Sequence, residues 1–384
     1  METLLLILLQ GAAVAMAASA PPVSSGLLDQ AFQFATALVT DDNDRTRAQE
    51  AVVQDLAAGG HLEDASRKAS GIAGWRRGTA YADLAAHYAA AGRAQEARSL
   101  LDKARQFQKT IGGWQEKRIE AHVASALAAL GETKEADALL QGLAASDAQY
   151  AGRPSAVMGP VLASRGDFDA AMTRLDQLKD VVDPDVQWSR VQGYLDIARQ
   201  QKLDPARRRK ACEMARGAAD NIPGWRKPQA LAQVADVQRE LISPAEARKT
   251  LSATKADLES LPATMPVRAS LLAEVAGAWT RAGDTTHVRT LLDKAASGIP
   301  EMMVIDRPAG WAAVASGYMA LKDEAGAKRH YDKSLTEAEG LVNARPRVLA
   351  VVEILREMAR AGYVPDAATT ARLDALRAGL KDPW

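Results

Sequence analysis

YADLAAHYAAAGRAQEARSLLDKA, residues 81–104, reads as two helices and the turn between them. Tyr81, Leu84, Ala85 and Tyr88 fall at i, i+3, i+4 and i+7, so they form one apolar face of a first helix. Gly92 can take the left-handed conformation that ends such a helix. Ala97, Leu101 and Ala104 then mark the facing stripe of a second helix. Small side chains at Ala85 and Ala97 let the two backbones approach closely.

The unit recurs along the chain with decay. Val123, Ala124, Leu127, Gly131, Ala136 and Leu140 form one copy, and Met158, Gly159, Leu162, Gly166, Ala171 and Leu175 another. Val52, Val53, Leu56, Gly60 and Ala65 give an early copy. Trp279 with Gly283, Tyr318 with Ala327, and Met358 with Gly362 anchor three late ones. Two middle units open their second helices with Asp204-Pro205 and Ser243-Pro244, a cap followed by proline at the first helical position. The turn glycines Gly60, Gly92, Gly131 and Gly166 are separated by 32, 39 and 35 residues.

This pattern resembles the tetratricopeptide repeat, whose period is about 34 residues. The longer spacings here place extra residues after the second helix, in stretches such as Gln106 to Gly113. The resemblance covers residues 44–380 and implies an all-α solenoid, a right-handed superhelix of about eight to nine helix-turn-helix repeats. Residues 21–43 read as a linker and a capping helix from Leu27 to Val39, and Thr370 to Leu380 as the closing helix.

Composition agrees with packed helices. Apolar residues make up 47% of the chain and aromatics only 5%, so Ala and Leu must fill the core. Alanine has the best helix propensity, whereas a sheet would want β-branched and aromatic residues. Lys and Arg number 48 against 48 Asp and Glu, an even balance that argues against nucleic acid as a partner. The run Arg207-Arg208-Arg209-Lys210 reads as a solvated helix face. The single cysteine, Cys212, lies among Ala211, Met214, Ala215 and Ala218 and reads as core.

Residues 1–20 combine an apolar run, Leu4 to Leu9, with the small-residue stretch Gly11 to Ala20. That layout is close to a secretory signal, with Ala15-Met16-Ala17 as the cleavage triplet, although no Lys or Arg precedes the run. The expected location is the periplasm or the outside of the cell. An uncleaved membrane anchor is the alternative, and with it the one expected contact with a membrane.

Two rows of residues recur at the junction between one hairpin and the next. Ile72-Ala73-Gly74-Trp75, Ile111-Gly112-Gly113-Trp114 and Ile222-Pro223-Gly224-Trp225 share a signature. Each Trp either staples a hairpin onto its neighbour or offers a platform to a peptide or glycan. An arginine recurs just beyond, at Arg45, Arg77, Arg118, Arg153, Arg190, Arg226, Arg268, Arg307 and Arg347. A cation there opposes the helix macrodipole, so each must be offset by a carbonyl or an acid nearby. Otherwise these arginines line a concave face and clamp carboxylates of a ligand. The candidate binding residues are therefore Arg77, Arg118, Arg153 and Arg226 with Trp75, Trp114 and Trp225.

Catalytic signatures do not emerge from the sequence. His61, His87, His122, His287 and His330 have no zinc-helix spacing, and no phosphate-binding glycine loop occurs. Asp41-Asp42-Asn43-Asp44 sits between two helices, where such residues cap the next one. No cofactor, metal or enzymatic activity is expected. The expected function is a protein-protein interaction scaffold binding an unidentified protein or peptide on a concave helical surface. The alternatives are an α/α-toroid enzyme, marked by a closed ring of helices, and a pentatricopeptide-like nucleic-acid binder, suggested by residues 357–366.

Overall fold

The computed structural model describes residues 23–39, 41–146, 150 and 152–381, so the signal or anchor expected at 1–20 lies outside the described residues. Among the described residues every regular element is a helix. A lone helix, α1 (Ser25–Thr36), precedes a run of pairs: α2 (Asp42–Ala58) with α3 (Leu62–Ala69), and α4 (Trp75–Ala90) with α5 (Ala94–Gln108). Next come α6 (Trp114–Leu130) with α7 (Thr133–Ser146), α8 (Gly152–Ser164) with α9 (Phe168–Asp176), and α10 (Pro184–Arg199) with α11 (Pro205–Asp220). Helix α12 (Arg226–Leu241) pairs with α13 (Pro244–Ser252), which α14 (Lys255–Ser260) extends. The last pairs are α15 (Val267–Arg281) with α16 (Thr286–Gly298), α17 (Arg307–Ala320) with α18 (Glu324–Glu339), and α19 (Ala344–Arg360) with α20 (Ala367–Ala378).

Local sequence sets these boundaries. Asp41, Asp204 and Ser243 accept the amide N–H of Asp44, Arg207 and Glu246, capping α2, α11 and α13. The acidic run at 41–44 is thus a cap, as its position suggested. Gly60, Gly92, Gly131, Gly166, Gly283 and Gly362 all adopt positive φ between the two helices of a pair. The turn between α17 and α18 has no glycine, and there Lys322 takes φ 59°. Cys212 is fully buried, and burial pushes its thiol up to about 12.

Within each pair from α2–α3 to α17–α18 the second helix packs on the first, whereas α20 rests against α18, and each first helix also packs on the first helix of the next pair. Second helices scarcely touch one another, so the first helices form the inside of the curve. Alanines on this inside, such as Ala80, Ala124 and Ala276, are almost fully buried, and small residues permit the approach. At Gly193 on α10 a Cβ would lie 3.1 Å from the Ala156 Cα of α8.

Paired contacts fix the direction of neighbouring first helices. Gln229 meets Glu274 and Asp236 meets Arg281, so α12 and α15 run parallel. Arg345 meets Asp44 and Arg356 meets Asp55, so α19 and α2 do too. Parallel first helices put every hairpin-to-hairpin junction at one end of the fold and every intra-hairpin turn at the other.

The contact from α19 to α2 revises the expected architecture. An open superhelix has two separated ends, but here α19 packs against α1 and α2. Arg356 Nε donates to Asp55 Oδ2 at 2.6 Å, Arg360 Nη2 reaches the same carboxylate at 3.0 Å, and Ser24 N–H bonds to the Ala359 carbonyl at 3.4 Å. Asp55 is only 7% exposed and Arg356 8%, so this seam is a packed interface. The succession of first-helix contacts therefore closes on itself.

Candidate binding site on the first helices

A belt of polar side chains joins successive first helices. Gln54 of α2 donates to Asp83 of α4 at 3.4 Å, and His122 of α6 meets Asp83 at 2.6 Å. Gln192 of α10 donates to Gln233 of α12 at 2.6 Å, and Ser316 of α17 donates to Glu357 of α19 at 2.9 Å. Buried polar groups need such partners, and neighbouring inner helices supply them.

Asp83 is the most connected member. Arg153 of α8 donates to it at 2.6 Å, reaching past α6. One carboxylate on α4 thus takes hydrogen bonds from α2, α6 and α8. Burial alone would raise the Asp83 carboxyl, but the charge of Arg153 and the hydrogen bond from His122 outweigh it and hold the group well below the usual carboxylate range. Burial and the Arg153 charge push His122 down, so the ring stays neutral near about pH 7. The geometry then assigns the proton to Nδ1, donating to Asp83, with Nε2 facing Arg153 Nη1 at 3.4 Å.

Beside this cluster lie the tryptophans of two junctions. Trp75 and Trp114 meet edge to face at 5.2 Å, with an interplanar angle of 73°. The Arg76 and Arg118 guanidinium groups lie 4.4 and 5.3 Å from the Trp75 ring centroid. Arg76 is bound to Glu50 at 2.7 Å. Arg118 differs: among the described residues no carboxylate lies within 4.0 Å of it. Burial pulls its affinity for a proton down, opposed first by the charge of Glu50, yet a guanidinium stays charged.

Four of the candidate residues therefore come together: Trp75, Trp114, Arg118 and Arg153. The other three do not. Arg77 Nε turns back to the Ile72 carbonyl, and Arg45, Arg307 and Arg347 do the same toward Leu38, Met302 and Leu341. For these the arginine row is a capping device at a junction. Arg226 pairs with Asp185 on α10 and lies over Trp225, which packs on the core.

Sequence reasoning passed over Asp83 and His122. Their signal was a charged residue inside an apolar helical run, Asp83 between Ala82 and Leu84, with His122 one turn after Arg118. It also passed over Glu274. Burial pushes that carboxyl up to about 7, opposed by the Gln229 hydrogen bond at 3.0 Å. An unfolded glutamate titrates near about 4.3, so the native state holds its proton more tightly and loses stability as pH rises through that window. Glu274→Gln, which cannot ionise, is expected to be more stable than wild type by about 1–3 kcal/mol above about pH 7, and equal to it below about pH 4. Urea unfolding at both pH values measures this, and a variant less stable at high pH would show that the carboxylate is needed ionised.

No family model matches the chain, and no curated protein matches it.

Proposed function

We propose that the protein is a non-catalytic binding scaffold, an outside-the-cytoplasm ring of tetratricopeptide-like hairpins that holds an acidic segment of a protein partner on its inner wall. One observation carries this reading: Arg118 is a half-buried guanidinium over the Trp75 face with no carboxylate of its own, beside two arginines that each have one. A carboxylate from a ligand would complete it with a charge-assisted hydrogen bond. Trp75 and Trp114 add flat apolar surface that suits a peptide backbone or side chain.

Fluorescence anisotropy with labelled Asp/Glu-rich peptides, against the same peptides carrying Asn/Gln, tests it. Acidic peptides are expected to bind, and Arg118→Gln to weaken them by about tenfold to a hundredfold. Arg77→Gln, at a residue engaged with a backbone carbonyl, should leave binding unchanged. Equal binding of acidic and neutral peptides would remove the proposal.

A second reading draws on the closed circuit of helices, which is what a toroidal enzyme requires, and on Glu274 and Asp196, whose carboxyls burial raises to about 7 and about 6. Such groups can act as acids near neutral pH. Hydrolysis of a panel of polysaccharides by wild type, absent in both Glu274→Gln and Asp196→Asn, would favour this reading over the scaffold.

A further inference from the structure

We propose that the junction end of the fold lies against an anionic lipid surface, with its apolar loops inserted and a neighbouring basic arc over the headgroups. This goes beyond the scaffold reading and does not rest on it: Trp114 is common to both, but Arg118, which carries that reading, is not among the residues invoked.

The large apolar side chains left exposed are unevenly placed. Val364 and Ile242 lie at the intra-hairpin end. The others lie at the junction end, where parallel first helices bring the loops into one layer. Met303, Val304 and Ile305, between α16 and α17, are 65%, 50% and 51% exposed. The next junction carries Val342 at 89%, and the one after it, across the seam between α19 and α2, carries Val39 at 66%. Three consecutive junctions therefore present apolar side chains to solvent.

The two junctions that follow are basic. Arg67, Lys68, Arg76 and Arg77 occur with no acid between Asp64 and Asp83, but Asp64, Asp29 and Glu50 pair with the first three and Arg77 caps the Ile72 carbonyl, so the cations left for headgroups are those of the next junction. Lys109 and Lys117 follow, Lys109 exposed, next to Trp114 at 55% exposure. Amphipathic aromatic and cationic groups beside apolar anchors suit the interface of an anionic bilayer. Of the acids of the apolar arc, Asp41 and Asp44 bind Arg345 and Asp42 binds Arg45, which leaves Glu301 exposed and Asp306 half-buried beside Ile305. Val182 lies apart, between Asp180 and Asp183, and takes no part.

The spacing of the anchors favours lipid over a protein. A stable protein interface needs a continuous complementary surface of about 1,200–2,000 Å² in total. These anchors come from separate junctions with polar residues between them. A bilayer asks only that they share a layer. Among the described residues no helix is long and apolar enough to cross a membrane, so the contact is peripheral.

Co-sedimentation of the full chain with vesicles of phosphatidylglycerol and phosphatidylcholine, against phosphatidylcholine alone, tests the proposal. Association is expected with the anionic vesicles and should weaken as salt is raised. Met303→Asp with Ile305→Asp is expected to weaken it roughly tenfold or more, and Lys109→Glu with Lys117→Glu comparably. Val364→Asp, at the other end, should leave it unchanged. Circular dichroism confirms that each variant is folded, and any misfolded pair is replaced by Met303→Ser with Ile305→Ser or by Lys109→Gln with Lys117→Gln. Absence of wild-type association would overturn the proposal, as would association that both pairs leave intact. Dimerisation in solution that Met303→Asp with Ile305→Asp abolishes, without vesicle binding, would overturn it in favour of a second copy.

Discussion

Asp55→Ala is expected to cost about 2–4 kcal/mol of stability, because it removes the acid that the buried Arg356 and the half-buried Arg360 share across the seam. Arg356 and Arg360 both bond to this carboxylate, at 2.6 Å and 3.0 Å. Orphaning a buried charge costs about 3–5 kcal/mol. The lower figure applies here because Arg356 keeps Glu353 at 2.6 Å and Arg360 keeps Glu357 at 2.8 Å. Urea unfolding of the variant measures the loss. A double-mutant cycle with Arg356→Met separates the pair from the packing around it, since the double variant should be destabilised by less than the sum of the two. A loss below about 0.5 kcal/mol would match a solvated surface pair, and the seam would then not be a packed interface.

The seam could not be read from the chain. Hairpins are local: Tyr81, Leu84, Ala85 and Tyr88 declare their helix within eight positions, and Gly92 declares its end. The helix expected over Leu27 to Val39 forms at Ser25–Thr36, and the closing helix at Ala367–Ala378. Closure depends instead on pairing Asp55 with Arg356 across 301 positions. Nothing near either residue marks it as a partner. Asp55, with Gln54, breaks the apolar run from Ala51 to Ala58 as Asp83 breaks its own, but that marks it as buried without naming a partner, and Arg356 is one of many arginines. Curvature accumulates from small rotations between neighbours, which side-chain periodicity does not encode.

The candidate site was legible in part, for a related reason. The tryptophan signature located Trp75 and Trp114 because it repeats at equivalent places. The arginine row mixed two roles, because a shift of a few positions along a helix turns the side chain to another face. Arg77, two residues after Trp75, reaches the Ile72 carbonyl, whereas Arg118, four residues after Trp114, lies over the Trp75 ring. Repetition identified the row, and register decided the role.

Asp83→Asn tests whether the first-helix wall is held by charge or only by shape. Asparagine keeps the size and can still accept from His122 and Arg153, but it carries no charge. Asp83 is 6% exposed and joins α4, α6 and α8, so the loss of its charge weakens the hold on Arg153 where water screens little. About 2–4 kcal/mol of destabilisation is expected near about pH 7. The pH dependence gives the sharper test. Because the native carboxyl is held below its unfolded value, its contribution is fully present above about pH 4 and is lost as pH falls through the native value. The gap between wild type and Asp83→Asn should therefore stay constant from about pH 7 to about pH 4 and narrow only below that. His122, held below its ordinary value by burial, also makes wild type less stable as pH falls below about 6.5, since the unfolded chain takes up a proton that the native ring resists. That loss occurs in both proteins and cancels in the difference to the extent that the Asp83→Asn substitution leaves the ring neutral. A gap that closes between about pH 7 and about pH 5 would place the titrating group at the histidine instead, and the three helices would then be joined through His122 rather than through the Asp83 charge.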